Sequence, residues 1–269
     1  MQNRVAKPWE GPFEPLRMIG NLYFVGSCPA SVHIVDTGAG LVMLDTGYRE
    51  SLCEVLDNIR RVGLDPYEIR YILLTHGHID HMGAARAFST LTGAKTVLGR
   101  ADRDYANGTL DLSYAKELGM VYPDPFEPDI LVDDGDTLTL GKTTFRAVAT
   151  PGHTPGAMSW FFSVSEGERE YRAGLHGGMG INTLSREFLD AYGLPYSLRE
   201  DFVRSMKRLN EETVEIFLGN HMQHNRTEEK ARRVREGDRL AFVDPSEWNA
   251  YNLWCIENLS AMIEREGNT

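Results

Sequence analysis

The stretch YILLTHGHIDH, residues 71–81, decides how the rest of this chain is read. Its first five residues, YILLT, form a short apolar run of the kind shown by a strand buried on both faces. The next six, His76 to His81, carry four potential metal ligands: His76, His78, Asp80 and His81. Imidazole and carboxylate together suit a borderline cation such as zinc. One loop can turn His76 and His78 to a first ion while Asp80 and His81 reach a second. A polar loop with solvent-exposed histidines is the plainer alternative, but three of the chain's eight histidines fall within these six residues.

Upstream, LYFVG (22–26), SVHIVDT (31–37) and LVMLDT (41–46) read as strands, with Asp36 to Gly40 as the turn between the last two. A helix follows: Ser51 and Glu54 match a capping box, and Leu52, Val55, Leu56 and Ile59 share one face before Gly63. Downstream, a short helix is expected from about His81 to Leu91, then the strand KTVLG (95–99). Residues 101–129 break the rhythm and read as an irregular, partly helical excursion. Strands resume at 130–132, 137–140, 144–152, 158–164 and 171–175, the polar segment 165–170 forming a hairpin loop. Ser197 with Glu200 suggests another capped helix burying Phe202, Val203, Met206 and Leu209, followed by the strand VEIFLG (214–219). Helices are expected from about Thr227 and from Asp244–Pro245–Glu247, the last with Trp248, Tyr251, Cys255, Leu259 and Met262 in one stripe. No linker or low-complexity segment interrupts this order. The fold class expected is α/β (α+β): a four-layer αββα sandwich of two mixed sheets flanked by helices. Residues 1–269 read as a single domain with C-terminal helices 227–269 packed on it.

Composition narrows the function. Hydrophobic residues make up 42% and charged residues 25% of the chain, ordinary globular usage. No apolar run approaches the ~20 residues of a membrane span, and MQNRVAKPWEGPFEP at the start lacks the apolar region of a secretory signal. Cys28, Cys53 and Cys255 are widely spaced and odd in number, which suits reduced thiols and a cytoplasmic location. A net charge of −11 disfavours a nucleic-acid partner. The densest basic stretch, Lys230 to Arg235, alternates with other residues as a solvated helix face does.

T-H-x-H-x-D-H after a short apolar strand resembles the signature of the metallo-β-lactamase fold superfamily, whose relatives include glyoxalase II, lactonases and the β-lactamases. Three further segments are similar in the same order, so the resemblance runs from about residue 20 to 225. LVMLDTG (41–47) implies that Asp45 sits behind a ligand and orients it. ATPGHTPGAMSW (149–160) implies His153 as third ligand of the first ion. IFLGNH (216–221) implies His221 on the second. Most two-metal members place a bridging aspartate after the strand that here reads YRAGLHGGMG, and this chain has no acid there. His176 stands at or beside that position: either it enters the metal shell or it only hydrogen-bonds at a glycine-rich turn. A single-ion site is a further alternative. Gly177, Gly178 and Gly180 read as room for close backbone approach. His224 is a candidate substrate contact, and His33 a structural histidine. Tyr105, Tyr114, Tyr122, Phe126 and Tyr192 are candidate pocket walls.

Zinc with open coordination lowers the pKa of bound water from 15.7 to about 7, so the reaction expected is attack of metal-bound hydroxide on a carbonyl. The substrate classes that fit are a lactone, thioester, amide or β-lactam, with Asp80 orienting the nucleophile. Two ions of zinc are expected, although iron and manganese accept the same ligands. An iron-dependent oxidoreductase or dioxygenase is the alternative; diiron members usually carry Glu where His78 stands and an appended flavin domain. A non-catalytic metal-binding module is the second alternative. A small-molecule substrate is expected, and the aromatic C-terminal helix offers a homodimer interface.

Overall fold

The computed structural model describes residue 7 and residues 11–267. Most of the N-terminal segment read as lacking a leader lies outside the described residues.

Two mixed sheets form the centre. The first runs β1 (Leu16–Ile19), β2 (Leu22–Phe24), β3 (His33–Asp36), β4 (Leu41–Leu44), β5 (Ile69–Leu73), β6 (Lys95–Gly99) and β7 (Ile130–Val132), in that spatial order. Its first four strands pair antiparallel and its last four parallel. The second sheet is ordered β12 (Ile216–Leu218), β11 (Arg169–Leu175), β10 (Met158–Glu166), β9 (Thr143–Ala149), β8 (Thr137–Leu140). There β11 and β12 are parallel and the other pairs antiparallel.

Strand alternation sorts the core into layers. On the wholly buried β4, Val42 and Leu44 face the second sheet, where they join Phe145, Trp160, Phe162 and Leu175 in the central cluster. Leu41 and Met43 face outward onto α1 (Leu52–Arg61) and meet Val55 and Ile59. Each fully buried side chain of this size contributes about 1.5–3 kcal/mol. Two short helices, α2 (Ile79–Met82) and α3 (Ala85–Thr92), follow β5, and Phe88 of α3 joins the outer cluster. A short α4 (Arg103–Ala106) opens the irregular stretch before β7. Past β11 come α5 (Arg186–Tyr192) and α6 (Ser197–Leu209); past β12 come α7 (Thr227–Arg235) and α8 (Glu247–Gly267). Phe202, Met206 and Leu209 of α6 and Trp248, Cys255 and Leu259 of α8 cover the outer face of the second sheet. The fold is therefore the four-layer sandwich expected from the sequence.

Several local expectations are corrected. Neither capping box forms. A 3-10 turn, Arg49–Ser51, leads into α1, and the Ser51 hydroxyl is buried without a partner; Ser197 is the first residue of α6, whose cap position is Tyr196. The helix expected over 81–91 is broken in two because Thr46 donates from its backbone N–H and its hydroxyl to the His81 carbonyl, which then cannot continue the helix. The hairpin loop shrinks to Gly167 and Glu168, since Glu166 pairs with Arg169, and Gly167 takes the φ of 63° such a turn requires. β1 was not anticipated.

Because β4 and β5 run parallel, as do β9, β11 and β12 within their sheet, the loops leaving their C-terminal ends gather along one edge of the sandwich. Two bonds tie the sheets together there: Trp160 Nε1 donates to the Leu74 carbonyl (3.2 Å) and Met158 N–H to that of Thr75 (2.8 Å).

Candidate metal centre

At that edge His76 and His78 leave β5, and His153 arrives on the loop after β9. The three imidazoles sit ring against ring, with centroids 4.6–4.7 Å apart, and their nearest ligand nitrogens lie within 4.8 Å of one another. A second group holds His76, Asp80 and His81 on the same criterion. His221, leaving β12, closes it: Asp80 Oδ2 is 3.2 Å from His81 Nε2 and 3.4 Å from His221 Nε2.

The other nitrogen of most of these rings is already used. His153 Nδ1–H donates to the Gly180 carbonyl and His221 Nδ1–H to that of Pro29, both at 2.7 Å. His81 Nδ1–H donates to Asp45 Oδ2 at 2.9 Å. His76 Nδ1–H meets the Thr75 hydroxyl at 3.0 Å, which itself donates to Asp45 Oδ2 at 2.8 Å. Each bond fixes a tautomer that leaves Nε2 aimed inward. Asp45 thus holds two of these rings, and it does so from a strained left-handed backbone with φ 55°.

His76 Nε2 is buried with no hydrogen-bond partner, a state that is expensive unless something else takes the lone pair. Burial, reinforced by the neighbouring imidazoles, holds His76 and His78 well below the ordinary histidine range, and burial lowers His153 to about 4. These rings are neutral and free to ligate. Burial alone would raise Asp80, yet His81 beside it holds the carboxyl far below its usual range, so it stays an anion. Burial would lower His81, but Asp80 and Asp45 on its two nitrogens raise it to about 10, so an ion there would displace its Nε2 proton; a set of imidazoles with one carboxylate suits zinc.

Close approach of the backbone is built in. A side chain at Gly178 would meet His153 Cδ2 at 2.6 Å, and one at Gly180 would meet His153 Cε1 at 2.9 Å. A cleft of about 1060 Å³ opens over the cluster, lined among others by Tyr48, Tyr114, His153, His221 and His224.

A match to the family model of the metallo-β-lactamase superfamily spans residues 25–165. The chain belongs to this superfamily. Among solved structures, the subclass B3 metallo-β-lactamase BJP-1 of Bradyrhizobium japonicum superposes with a TM-score of 0.87 at 29% identity, covering 98% of both chains. A protein of Burkholderia pseudomallei (strain 1710b) named as a probable metallo-hydrolase is 29% identical over 61% of this chain and 54% of its own length. Hydroxyacylglutathione hydrolase GloC of Haemophilus influenzae is 32% identical over 38% of this chain and 48% of its own. The chain thus spans about half the length of the curated relatives it matches.

Other candidates fall elsewhere in this superfamily member. His176 is turned toward α8: its Nε2 lies 2.6 Å from Asn252 Oδ1, and its ring packs on Trp248 at 4.9 Å. It stands in neither ligand group, so hydrogen bonding in the helix layer is the role the geometry supports. His224 packs on His221 (5.1 Å) and lines the cleft, its Nδ1 buried without a partner. His33 packs edge-on to Phe24 in the core, its Nε2 likewise unpartnered. Of the aromatics, Tyr114 lines the cleft, tilted against His78 at 5.3 Å. Tyr105, Tyr122 and Phe126 pack instead in the outer cluster beneath α1 and α3, and Tyr192 stacks on Phe188.

Sequence reasoning missed Asp102. Buried on the 3-10 turn before α4, it accepts from Gly77 N–H (2.8 Å), the Thr154 hydroxyl (2.6 Å) and Gly156 N–H (2.6 Å). One carboxylate therefore clamps the His76–His78 loop to the His153 loop. Burial pushes this carboxyl up to about 6 while the three donors pull it back. Asn220 was also missed; its amide donates to Thr75 Oγ1 (3.2 Å) and the His176 carbonyl (2.7 Å), joining β5 to β11.

Proposed function

We propose that this chain is a metal-dependent hydrolase of a small carbonyl compound, with one zinc ion on His76, His78 and His153 and a second on Asp80, His81 and His221. The observation that carries the reading is the buried, unpartnered Nε2 of His76 among ligand atoms within 4.8 Å. Zinc held by these donors supplies a Lewis acid and a water that ionises near pH 7. The protein's own part is positioning. Asp45 orients His81 and, through Thr75, His76. Asp80, kept anionic, offers its outer lone pairs to orient an attacking water. Tyr48 and Tyr114 wall the cleft over the same atoms.

The substrate class is a lactone, thioester, amide or β-lactam. Similarity to a structurally matched β-lactamase and to a hydroxyacylglutathione hydrolase supports the β-lactam and thioester members of that set. Residues 1–269 act as one unit in this reading, because Arg226, Glu229 and Arg232 at α7 line the cleft with the β5 loop. Among the described residues no helix is long and apolar enough to cross a membrane.

A panel of lactones, thioesters and β-lactams, assayed before and after chelation with elemental analysis of the protein, tests the proposal. One class is expected to be turned over, with activity lost on chelation and restored by zinc. His76→Ala and Asp80→Ala are each expected to reduce turnover by at least about a hundredfold, as loss of metal affinity or orientation does, while circular dichroism stays native. Full activity in both variants would refute the assignment; iron at full occupancy with redox turnover would transfer it to the oxidoreductase reading.

A further inference from the structure

Beside the cleft over the histidines lies a second cavity of about 770 Å³. Met179, Gly180, Asn182, Gln223, His224 and Arg226 line both, so the two are lobes of one groove. The inner wall of the second lobe is apolar and largely aromatic: Phe217, Tyr251, Trp254 and Cys255, with Ile181 and Ala250. Tyr251 packs against Phe217 at 5.3 Å and against Trp254 at 5.1 Å, making a continuous ring surface. Trp254 nonetheless remains 53% exposed, an apolar surface that folding has not covered.

Arg226 and Glu247 are the charged residues in this lining, and they neutralise each other at 2.6 Å. An anionic or cationic group would find no free counter-charge in the lobe, whereas an uncharged aromatic or branched alkyl group gains by burial there. The volume lies within the ~300–1000 Å³ typical of small-molecule sites.

We propose that the second lobe binds an uncharged aryl or alkyl arm of the substrate while the carbonyl lies over the histidines, with Tyr251 and Trp254 as specificity-determining residues. This rests on the hydrolase reading for the origin of the arm, but the lobe itself is testable without turnover. The lining shared with the cleft assigns the lobe to a substrate arm and not to a second copy of this chain capping Trp254.

The test uses zinc-loaded protein and two readouts. In the first, N-phenyl-1-naphthylamine, an uncharged aromatic dye, is titrated by fluorescence. Ala250→Trp, which fills the lobe from an exposed helical position, is expected to raise the dye Kd about tenfold. Trp254→Ala, which removes a wall instead, is expected to raise it too. Leu253→Ala, exposed and outside the lining, is the control. In the second, phenylacetyl and acetyl thioesters of one thiol are compared, and Ala250→Trp is expected to lower the phenylacetyl-to-acetyl ratio of kcat/KM about tenfold, the scale on which apolar pockets discriminate. Dye binding lost in both lobe variants without hydrolysis of either ester upholds the lobe and counts against the hydrolase reading. Equal dye affinity in wild type and both lobe variants overturns the proposal, as does an unmoved ratio where both esters are hydrolysed. Sedimentation showing a dimer that Trp254→Ala dissolves would give the lobe to a second copy and overturn it as well.

Discussion

Asp102 shows how much of the centre depends on a side chain that touches no reacting atom. Its carboxylate has acceptors only, and among the described residues the three donors of Gly77, Thr154 and Gly156 have no other acceptor. In Asp102→Asn the amide NH₂ replaces an acceptor and faces a buried N–H or hydroxyl, which costs about 1–3 kcal/mol. It also loosens the loops bearing His76, His78 and His153, and loss of such supports lowers metal affinity roughly 10–100-fold. Zinc titration against a competing chelator and urea unfolding should report both losses; wild-type affinity with a wild-type midpoint would show that the clamp is idle. Sequence could not have found this residue, because two of its three partners are backbone N–H groups that any residue supplies. The six proposed ligands were legible for the opposite reason: coordination restricts residue type, and four of them fall in one short run. Between the two roles left open for His176 the sequence could not choose, because its ring direction is set by Asn252, 76 residues away in the chain.

At the level of elements, buried strands were readable from their apolar runs, while helix starts were not. The expected Ser51–Glu54 capping box fails because Glu54 is engaged elsewhere: it accepts the Phe13 N–H at 3.2 Å, pinning the segment that carries Phe13 into the cleft wall. Local spacing could not anticipate a partner 41 residues upstream. β1 was missed likewise, since its four residues gain their pattern only by pairing with β2. Glu54 has a pH signature. Burial raises its carboxyl from 4.5 to about 7, against the pull of the Phe13 N–H. A carboxyl raised on folding contributes stability that is full below the unfolded value and is lost as pH rises through the folded one. The stabilising share of Glu54 is therefore present at pH 4.5 and gone above about pH 7. Glu54→Gln keeps a neutral acceptor at every pH, so its melting temperature should exceed wild type at pH 8 and converge with it near pH 5. A gap of the same size at both values would contradict this account.

For the molecule as a whole, the sandwich was legible because two-sided strand burial leaves few other ways to cover this many apolar strands. Which helices cover which sheet was not, since α6 and α8 look alike to α1 and α3 as apolar stripes. The topology has an energetic consequence at the edge where the sheets meet. His76, His78, Asp80 and His81 hang from the first sheet, whereas His153 and His221 hang from the second. An ion bound by both sets cross-links the two layers, and without it at least His76 keeps a buried unpaired nitrogen. A ligand that binds only the folded state stabilises by RT ln(1 + [L]/Kd), about 4.1 kcal/mol at a thousandfold excess over Kd. At about 2–4 °C per kcal/mol for a chain of this size, zinc-saturated protein should melt roughly 10 °C above chelated protein. His153→Ala and His221→Ala, each severing one tie to the second sheet, should narrow that interval, and His224→Ala should not. Calorimetry on the four proteins with and without zinc decides it: an interval that is absent in wild type, or the same size in His153→Ala, would mean that the two sheets are not joined through a metal.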